Sequence, residues 1–448
     1  MVTLTEQLSV LLQRPLDERV HARGTLHLLD WLGCAFAGVH TEAGRAVLAW
    51  AHGTGTPGHY VAIGAGRLDR ATATIVNGAL GNILEMDDVH RTAILHPGPV
   101  VAPAALTAAH SVQASGARLL EALAIGYEAM IRVGRSFGPG HYRFWHNTST
   151  AGPFGAAAAV GALLRLDTAA MADALGNAGT QSAGLWQTRH EPSMSKQLHT
   201  ARAAHAGMVA AELAAVGFTG PREILEGVQG LYAATCPDAM PERVTDEPNG
   251  EWLMFNTSFK PWPACRHAHS AIDAALDLRT QVAPAAIASI KLHAYDDAIR
   301  FCDRPAPRTS QEAKFSLQHA VAVVLTRGRP TLEDFEPDAI ADASVAALRS
   351  RVRVEHDEAL TRAYPEHYGA ALEATLTDGR RLLIASPDAL GDPVKPLDRD
   401  AIVDKALTLM VWAGVGKARA ETIVDGVFAL VGAADTLGLE KAIEGAWR

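Results

Sequence analysis

From about residue 4 to residue 235 the apolar residues return every third and fourth position, and the filler between them is alanine and glycine. "VHARGTLHLLDWLGCAFAGV", "ARLLEALAIGYEAMIRVGRSF" and "QLHTARAAHAGMVAAELAAVGF" all read this way. That spacing is the period of an α-helix with one or more buried faces. Side chains this small let helix axes approach closely, so the segment is expected to build a large helical bundle. The character changes after "FKPWPACRHAH" (259–269). "IASIKLHAY" (287–295) and "AALEATLTDGRRLLIAS" (370–386) alternate like strands, the second around an Asp378-Gly379 turn. "QEAKFSLQHAVAVVLTRG" between them is helical in pattern, and the tail from about residue 398 is helical again. A chain of 448 residues exceeds the size at which one hydrophobic core stops growing. The expected layout is therefore mostly α: a helical domain over 1–262, a smaller mixed α/β domain over 263–397, and a return to helix over 398–448.

Charge and composition remove several functions. A formal net charge of −9 is the wrong sign for broad nucleic-acid or anionic-membrane binding, which need an extended positive field. The most apolar run, "STAGPFGAAAAVGALL", is short and ends at Arg165, so it reads as a buried helix and not a membrane span. Cys34, Cys236, Cys265 and Cys302 are scattered, with no CxxC pair. Free thiols in a reducing cytoplasm are the expectation, and the first twenty residues show no export signal. "GTGTPG" (53–58) fits the letters of a dinucleotide-binding loop, but Pro57 lies inside it and no helix pattern follows. It reads as a loop leading into a short strand.

The chemistry concentrates elsewhere. "ILEMDDVHRTAILHPG" (83–98) packs Glu85, Asp87, Asp88, His90 and His96 between two apolar runs. A divalent-metal site, as in a metal-dependent hydrolase, is one reading, since carboxylate and imidazole suit zinc, iron and manganese. A solvated loop of exposed acids at a helix end is the plain alternative. An acid/base site is the third: Pro97 and Gly98 turn the backbone at His96, just before an apolar helix. His146 stands among aromatics ahead of an Asn-Thr-Ser-Thr run, where a helix N-terminus could receive an anion or the ring could simply be a satisfied core histidine. Lys196 opens an apolar helix. Lys260, Cys265, Arg266, His267 and His269 crowd the change of domain, and Cys265 reads as a buried inert thiol.

"LEMDDVHRTAILHPGPVVAPAAL", "WHNTSTAGPFGAAAA", "SKQLHTARAAHAGMVAAELAAVGFTGP" and "FKPWPACRHAHSAIDA", in this order and at these separations, resemble the MmgE/PrpD family. The family includes 2-methylcitrate dehydratase, cis-aconitate decarboxylase and iminodisuccinate epimerase, and the resemblance spans nearly the whole chain. It implies an all-helical domain completed by both chain ends, a smaller α/β domain, a homodimer, and catalysis without metal or organic cofactor. Carried over by motif, the family's active-site acid falls at Glu85, with Asp87 and Asp88 as the later acids. Its histidines fall at His96 and His146 and its lysines at Lys196 and Lys260. Three positions depart from the family pattern: Glu85 is one methylene longer than the usual aspartate, His319 stands where relatives carry an aromatic, and "LHPGPVV" replaces "GHPSDN".

The resemblance implies a small di- or tricarboxylate substrate and a carbanion-like centre beside a carboxylate. Such a centre needs fixed cations aimed at the developing enediolate and a base that titrates near neutrality. His96, His146, Lys196, Glu85 and Asp87 are the expected catalytic set, and Lys260, Arg266, Arg91, Asp88 and His319 the expected substrate-binding set. Dehydration in the manner of 2-methylcitrate dehydratase is the leading expectation. Epimerisation and decarboxylation differ from it only in what the second acid/base group does, and a non-catalytic carboxylate binder is the remaining option.

Overall fold

A computed structural model describes residues 2–191 and 193–447. The chain divides into two compact units. Unit 1 holds residues 1–83, 87–257 and 398–448, and unit 2 holds residues 84–86 and 258–397.

Unit 1 is built on helices α1 (Arg19–Gly38), α2 (Arg70–Leu80), α3 (Gly98–Ser111), α4 (Gly116–Arg135), α5 (Asn147–Leu163) and α6 (Ser195–Ala215). Their ends obey ordinary capping chemistry. The Asp69 carboxylate accepts the Thr72 N–H at 3.0 Å to open α2, and the Ser115 hydroxyl accepts the Arg118 N–H to open α4. Helix α5 is apolar on every side, and all its residues except Ala162 are buried, so it forms the centre of the bundle. Gly155 is what lets α4 come so near: a Cβ there would lie 2.6 Å from the Met130 Cβ and 2.9 Å from the Gly126 carbonyl oxygen. The core is filled mainly by alanine, leucine and valine from these helices, with Trp31, Phe36, Tyr127 and Phe154 as the large members.

A small strand pair lies within the helical unit: β1 (Pro57–Ala62) pairs antiparallel with β2 (Gly66–Leu68). The "GTGTPG" letters straddle the end of the helix Glu42–Thr54 and the start of β1, so Pro57 is already a strand residue.

Unit 2 carries a four-stranded sheet in the order β4 (Val352–His356), β3 (Ile287–Ala294), β5 (Ala370–Leu376), β6 (Arg381–Ser386). The β3–β4 pair is parallel and the other two are antiparallel, with Leu292 opposite Val354 on one side and Leu372 on the other. Alternate residues of β5, namely Ala370, Leu372, Ala374 and Leu376, are buried. Helix α7 (His269–Gln281) covers that face, and α8 (Leu317–Arg327) packs on α7. The β5–β6 connection turns at Asp378-Gly379, where Gly379 has φ +88°, the left-handed conformation a side chain would disfavour.

The chain then returns to unit 1 as α9 (Arg399–Trp412) along α1. Gly33 makes the contact possible, since a Cβ there would sit 2.9 Å from the Ala406 Cα. A buried ion pair, Lys405 Nζ to Asp30 Oδ1 at 2.5 Å, joins the two helices. Among the described residues no helix is long and apolar enough to cross a membrane. The four cysteines are free and buried.

Candidate active site

The stretch 83–98 begins where α2 stops. The chain leaves the helix at Gly81, where a Cβ would collide with the Trp31 indole, and runs through turns and the two-residue strand Val89–His90 to Gly98. The segment is nevertheless buried: Glu85 is 2% exposed, Asp87 0%, Asp88 1% and His90 5%. That rules out a solvated loop of exposed acids. It also poses a problem, because buried irregular backbone has polar groups to satisfy.

The acids and their neighbours solve it. His90 and Leu95 exchange backbone hydrogen bonds, the Ala93 N–H donates to His90 Nδ1 at 3.3 Å, and the Asn147 amide donates to the Ala93 carbonyl at 2.9 Å. The Thr148 hydroxyl accepts the His96 N–H at 3.1 Å, and the Asp88 carboxylate accepts the Gly98 N–H at 2.9 Å. Two non-glycine residues, Glu85 and Ile94, are left-handed at φ +60° and +50°. For a β-branched residue such as Ile94 this conformation costs roughly 1–2 kcal/mol, and so the surrounding bonds must impose it.

Asp88 is the anchor. Besides the Gly98 N–H, it accepts the Tyr127 O–H at 2.6 Å and a bond from His27 Nδ1 at 2.7 Å. Arg23 Nε donates to His27 Nε2 at 3.1 Å, which places the His27 proton on Nδ1, facing Asp88. Burial, reinforced by Arg23 and opposed by Asp88, keeps the His27 ring below its ordinary pKa. The two acids have separate jobs, for Asp87 turns to Asn82 at 2.8 Å and to His96 at 3.0 Å.

His96 is thereby presented in one tautomer. Its Nδ1 lies 2.9 Å from the Asp88 carbonyl oxygen and 3.0 Å from Asp87 Oδ2, both acceptors, so Nδ1 carries the proton. Nε2 is left with a lone pair and makes no hydrogen bond among the described residues. The side chain keeps 13% of its exposure. A carboxylate behind Nδ1 and a lone pair at Nε2 is the arrangement of a general base whose imidazolium form is stabilised from the rear.

Facing it is His146, at the N-cap of α5, its ring edge-to-face with His96 at a centroid separation of 6.4 Å. The ring lies 4.4 Å from Trp186, and its Nδ1 is 3.1 Å from His199 Nδ1. Burial, then the charges of Lys196, His199, His96 and Arg189, push His146 well below the ordinary imidazole range. Burial and Lys196 push His199 down to about 4. Lys196 and His199 stand three residues apart on one face of the first turns of α6. The cluster in unit 1 is thus Asp87, Asp88, His96, His146, Lys196 and His199: one base, a shared-proton imidazole pair and a cation.

Of the other expected site residues, Glu85, Lys260, Arg266 and His319 belong to unit 2. Glu85 packs with unit 2, where its charge acts on buried Lys314 and on Cys302. Lys260 is fully buried in unit 2. Arg266, also in unit 2, pairs with buried Asp392, which accepts the Ser258 hydroxyl at 2.7 Å. His319 has both nitrogens engaged, donating from Nε2 to the Asp334 carbonyl at 2.8 Å and accepting from Arg349 at 3.2 Å. It is buried, with its ring edge-to-face to Phe335. Arg91 is half-buried on the His90–Leu95 turn. Among the described residues no three His, Cys, Asp or Glu side chains group as metal ligands. The carboxylate oxygens of Asp88 are committed to protein donors.

Sequence reasoning did not single out His199, Trp186, His27 or Tyr127. His199 carried a signal, its i, i+3 spacing from Lys196. His27 and Tyr127 sit on amphipathic helices among other polar residues, and nothing in their local pattern distinguishes them.

The histidines predict the acid response. His90 is lowered to about 3, chiefly by burial, and His141 and His319 to about 4 by the same cause, as is His199. Between pH 6.5 and about 4 the unfolded chain binds protons at these positions and the folded chain does not. Stability therefore falls as pH falls through this window, by up to about 1.4 kcal/mol per pH unit for each such histidine. Asp30, raised to about 6 by burial and held back by Lys405, works the other way between pH 3.8 and 6, but it is one group against several. Urea midpoints measured from pH 7 to pH 4.5 are expected to fall steadily. A flat profile would contradict the neutral buried imidazoles.

A buried carboxylate–histidine loop with a second imidazole and a cation is an arrangement chemically suited to proton transfer at an anion. The sequence profile of the MmgE/PrpD N-terminal domain matches residues 8–243, and that of the MmgE/PrpD C-terminal domain matches residues 262–430. The chain belongs to the MmgE/PrpD family and is a lyase-type enzyme. It is 28% identical over 450 residues to the cis-aconitate decarboxylase-like protein oryM of Aspergillus oryzae, covering 93% of this chain and 92% of that protein. It is 27% identical over 413 residues to the cis-aconitate decarboxylase of Homo sapiens, covering 87% of this chain and 83% of the other. To the 2-methylcitrate dehydratase of Cupriavidus necator it is 34% identical over 143 residues, 30% of each chain.

Proposed function

We propose that the chain is a lyase for a small di- or tricarboxylate and works by proton transfer at a carbon next to a carboxylate, without metal or organic cofactor, dehydrating it in the manner of 2-methylcitrate dehydratase. The observation that carries the reading is the His96 geometry: Nδ1–H held by Asp87 and the Asp88 carbonyl, Nε2 presenting a lone pair. In the forward direction His96 Nε2 takes the proton from the carbon, and the electron pair left behind is delocalised into the adjacent carboxylate. Asp87 stabilises the imidazolium and Lys196 the developing negative charge. The β-carbon–oxygen bond then breaks, and hydroxide leaves as water with a proton supplied by the His146 side of the site. Atoms balance as substrate to alkene plus water.

A decarboxylase is the second reading, favoured by the relatives that match along nearly the full chain, which are named cis-aconitate decarboxylases. There the bond to carbon dioxide breaks first and the same groups deliver one proton to the carbon.

Proton NMR in deuterium oxide distinguishes the branches, using EDTA-treated enzyme with citrate, 2-methylcitrate, cis-aconitate and iminodisuccinate separately. Dehydration predicts interconversion of 2-methylcitrate and its alkene with deuterium entering beside a carboxylate. Loss of carbon dioxide from cis-aconitate would select the decarboxylase, and deuterium entry with inversion at iminodisuccinate an epimerase. Activity that vanished with EDTA and returned with zinc or manganese would overturn the cofactor-free mechanism.

A further inference from the structure

The contact between His146 and His199 carries a further consequence for the site. The two Nδ1 atoms are 3.1 Å apart, so the contact requires one proton between them: one ring donates from Nδ1 and the other accepts there. The His146 ring has little freedom to escape the arrangement. Its backbone N–H donates to the Gly184 carbonyl at 2.8 Å, and the Trp186 indole lies against it at 4.4 Å. Trp186 is itself tied through its backbone N–H to the Phe144 carbonyl at 2.9 Å. With Nδ1 committed to His199, Nε2 is the nitrogen left for chemistry.

The direction of the shared proton decides what His146 can do. If His146 donated, its Nε2 would hold a lone pair, and His96 and His146 would both face the substrate as bases, neither with a proton to give. If His199 donates, His146 carries its proton on Nε2, and the site holds one acceptor and one donor. Only the second arrangement complements His96. It also allows the pair to act while neutral, as a buried imidazole can polarise or protonate a substrate oxygen without first becoming a cation.

We propose that His199 is a positioning residue that donates its Nδ1 proton to His146 and so fixes His146 in the tautomer presenting Nε2–H to the substrate. This rests on the proton-transfer reading above and deepens it by assigning what sets the second acid/base group. Lys196, one turn earlier on α6, opposes a second proton on either ring and keeps the pair to the single shared one.

Two measurements on the full chain test it. The first is nitrogen-15 NMR of histidine-labelled protein without substrate, which reads the tautomer directly. His146 is expected to be protonated at Nε2 with an accepting Nδ1; protonation at Nδ1 would overturn the proposal. The second compares His199→Leu, which has no donor, with His199→Asn, whose amide N–H can still reach His146. In the deuterium-exchange assay with 2-methylcitrate and cis-aconitate, His199→Leu is expected to lower kcat by about 10-fold or more with KM little changed, and His199→Asn to recover most of the loss. Equal loss in both variants would overturn it. If wild type turned over neither acid, the functional reading would fail, and the NMR measurement would still decide the tautomer.

Discussion

His96→Ala is expected to lower kcat by about 10²–10⁴-fold, the usual worth of a positioned general base, while the protein stays folded. The His96 backbone N–H still donates to Thr148, the Asp88 carbonyl remains in place, and Asp87 retains its bond from Asn82. What disappears is the lone pair at Nε2. Asp87→Asn probes the same unit from behind. It keeps the volume, but it removes the charge that stabilises the imidazolium and offers an amide that can turn a donor toward Nδ1. A loss on the same scale is expected, since an aspartate-to-asparagine change behind a catalytic histidine traps the wrong tautomer. The double variant is expected to be little worse than either single one, because the two residues act as one device. Added imidazole should restore part of the His96→Ala rate and none of the Asp87→Asn rate. Wild-type turnover in His96→Ala would remove His96 from the mechanism.

Much of the fold could be read from the sequence because it follows from periodicity. Alanine-rich three- and four-residue spacing gave α4, α5 and α6, and the alternation around Asp378-Gly379 gave the β5–β6 hairpin. The small strand pair in the helical unit was legible only in part, since Pro57 reads as a loop residue yet opens β1. The candidate site divides in the same way. His96, Asp87 and Asp88 stood out because charge within an apolar stretch is rare, and His146 and Lys196 because motifs flanked them. Local pattern could not say which acid serves which partner. Asp88 reaches His27 and Tyr127 across 61 and 39 residues of sequence, and His146 reaches His199 across 53. Such pairings are products of helix packing. Glu85 shows the converse: two residues from Asp87 in the chain, it belongs to unit 2, and its own backbone is left-handed.

The largest stability effect is expected at Asp88. Asp88→Ala would leave the Tyr127 O–H, the His27 Nδ1–H and the Gly98 N–H as buried donors without an acceptor, with Arg23 facing a site that has lost its negative charge. Removing one member of a buried charged network costs on the order of 3–5 kcal/mol. Tyr127→Phe removes only one donor and leaves Asp88 with two, so a loss of about 1 kcal/mol is expected. Denaturant unfolding of the two variants at pH 7 should therefore rank Asp88→Ala far below Tyr127→Phe. Similar losses would mean that the three bonds do not act together. The catalytic prediction is different in kind. His96 is held by the backbone carbonyl of residue 88, which every substitution there retains, and by Asp87. Activity in Asp88→Ala therefore depends on whether the loop keeps its path without the carboxylate. The Gly98 N–H bond ties that carboxylate to the start of α3, two residues past His96, so loosening it should let the base drift. The expected signature is a fall in kcat in protein that is still folded, smaller than that of Asp87→Asn, together with faster hydrogen exchange at the Gly98 amide.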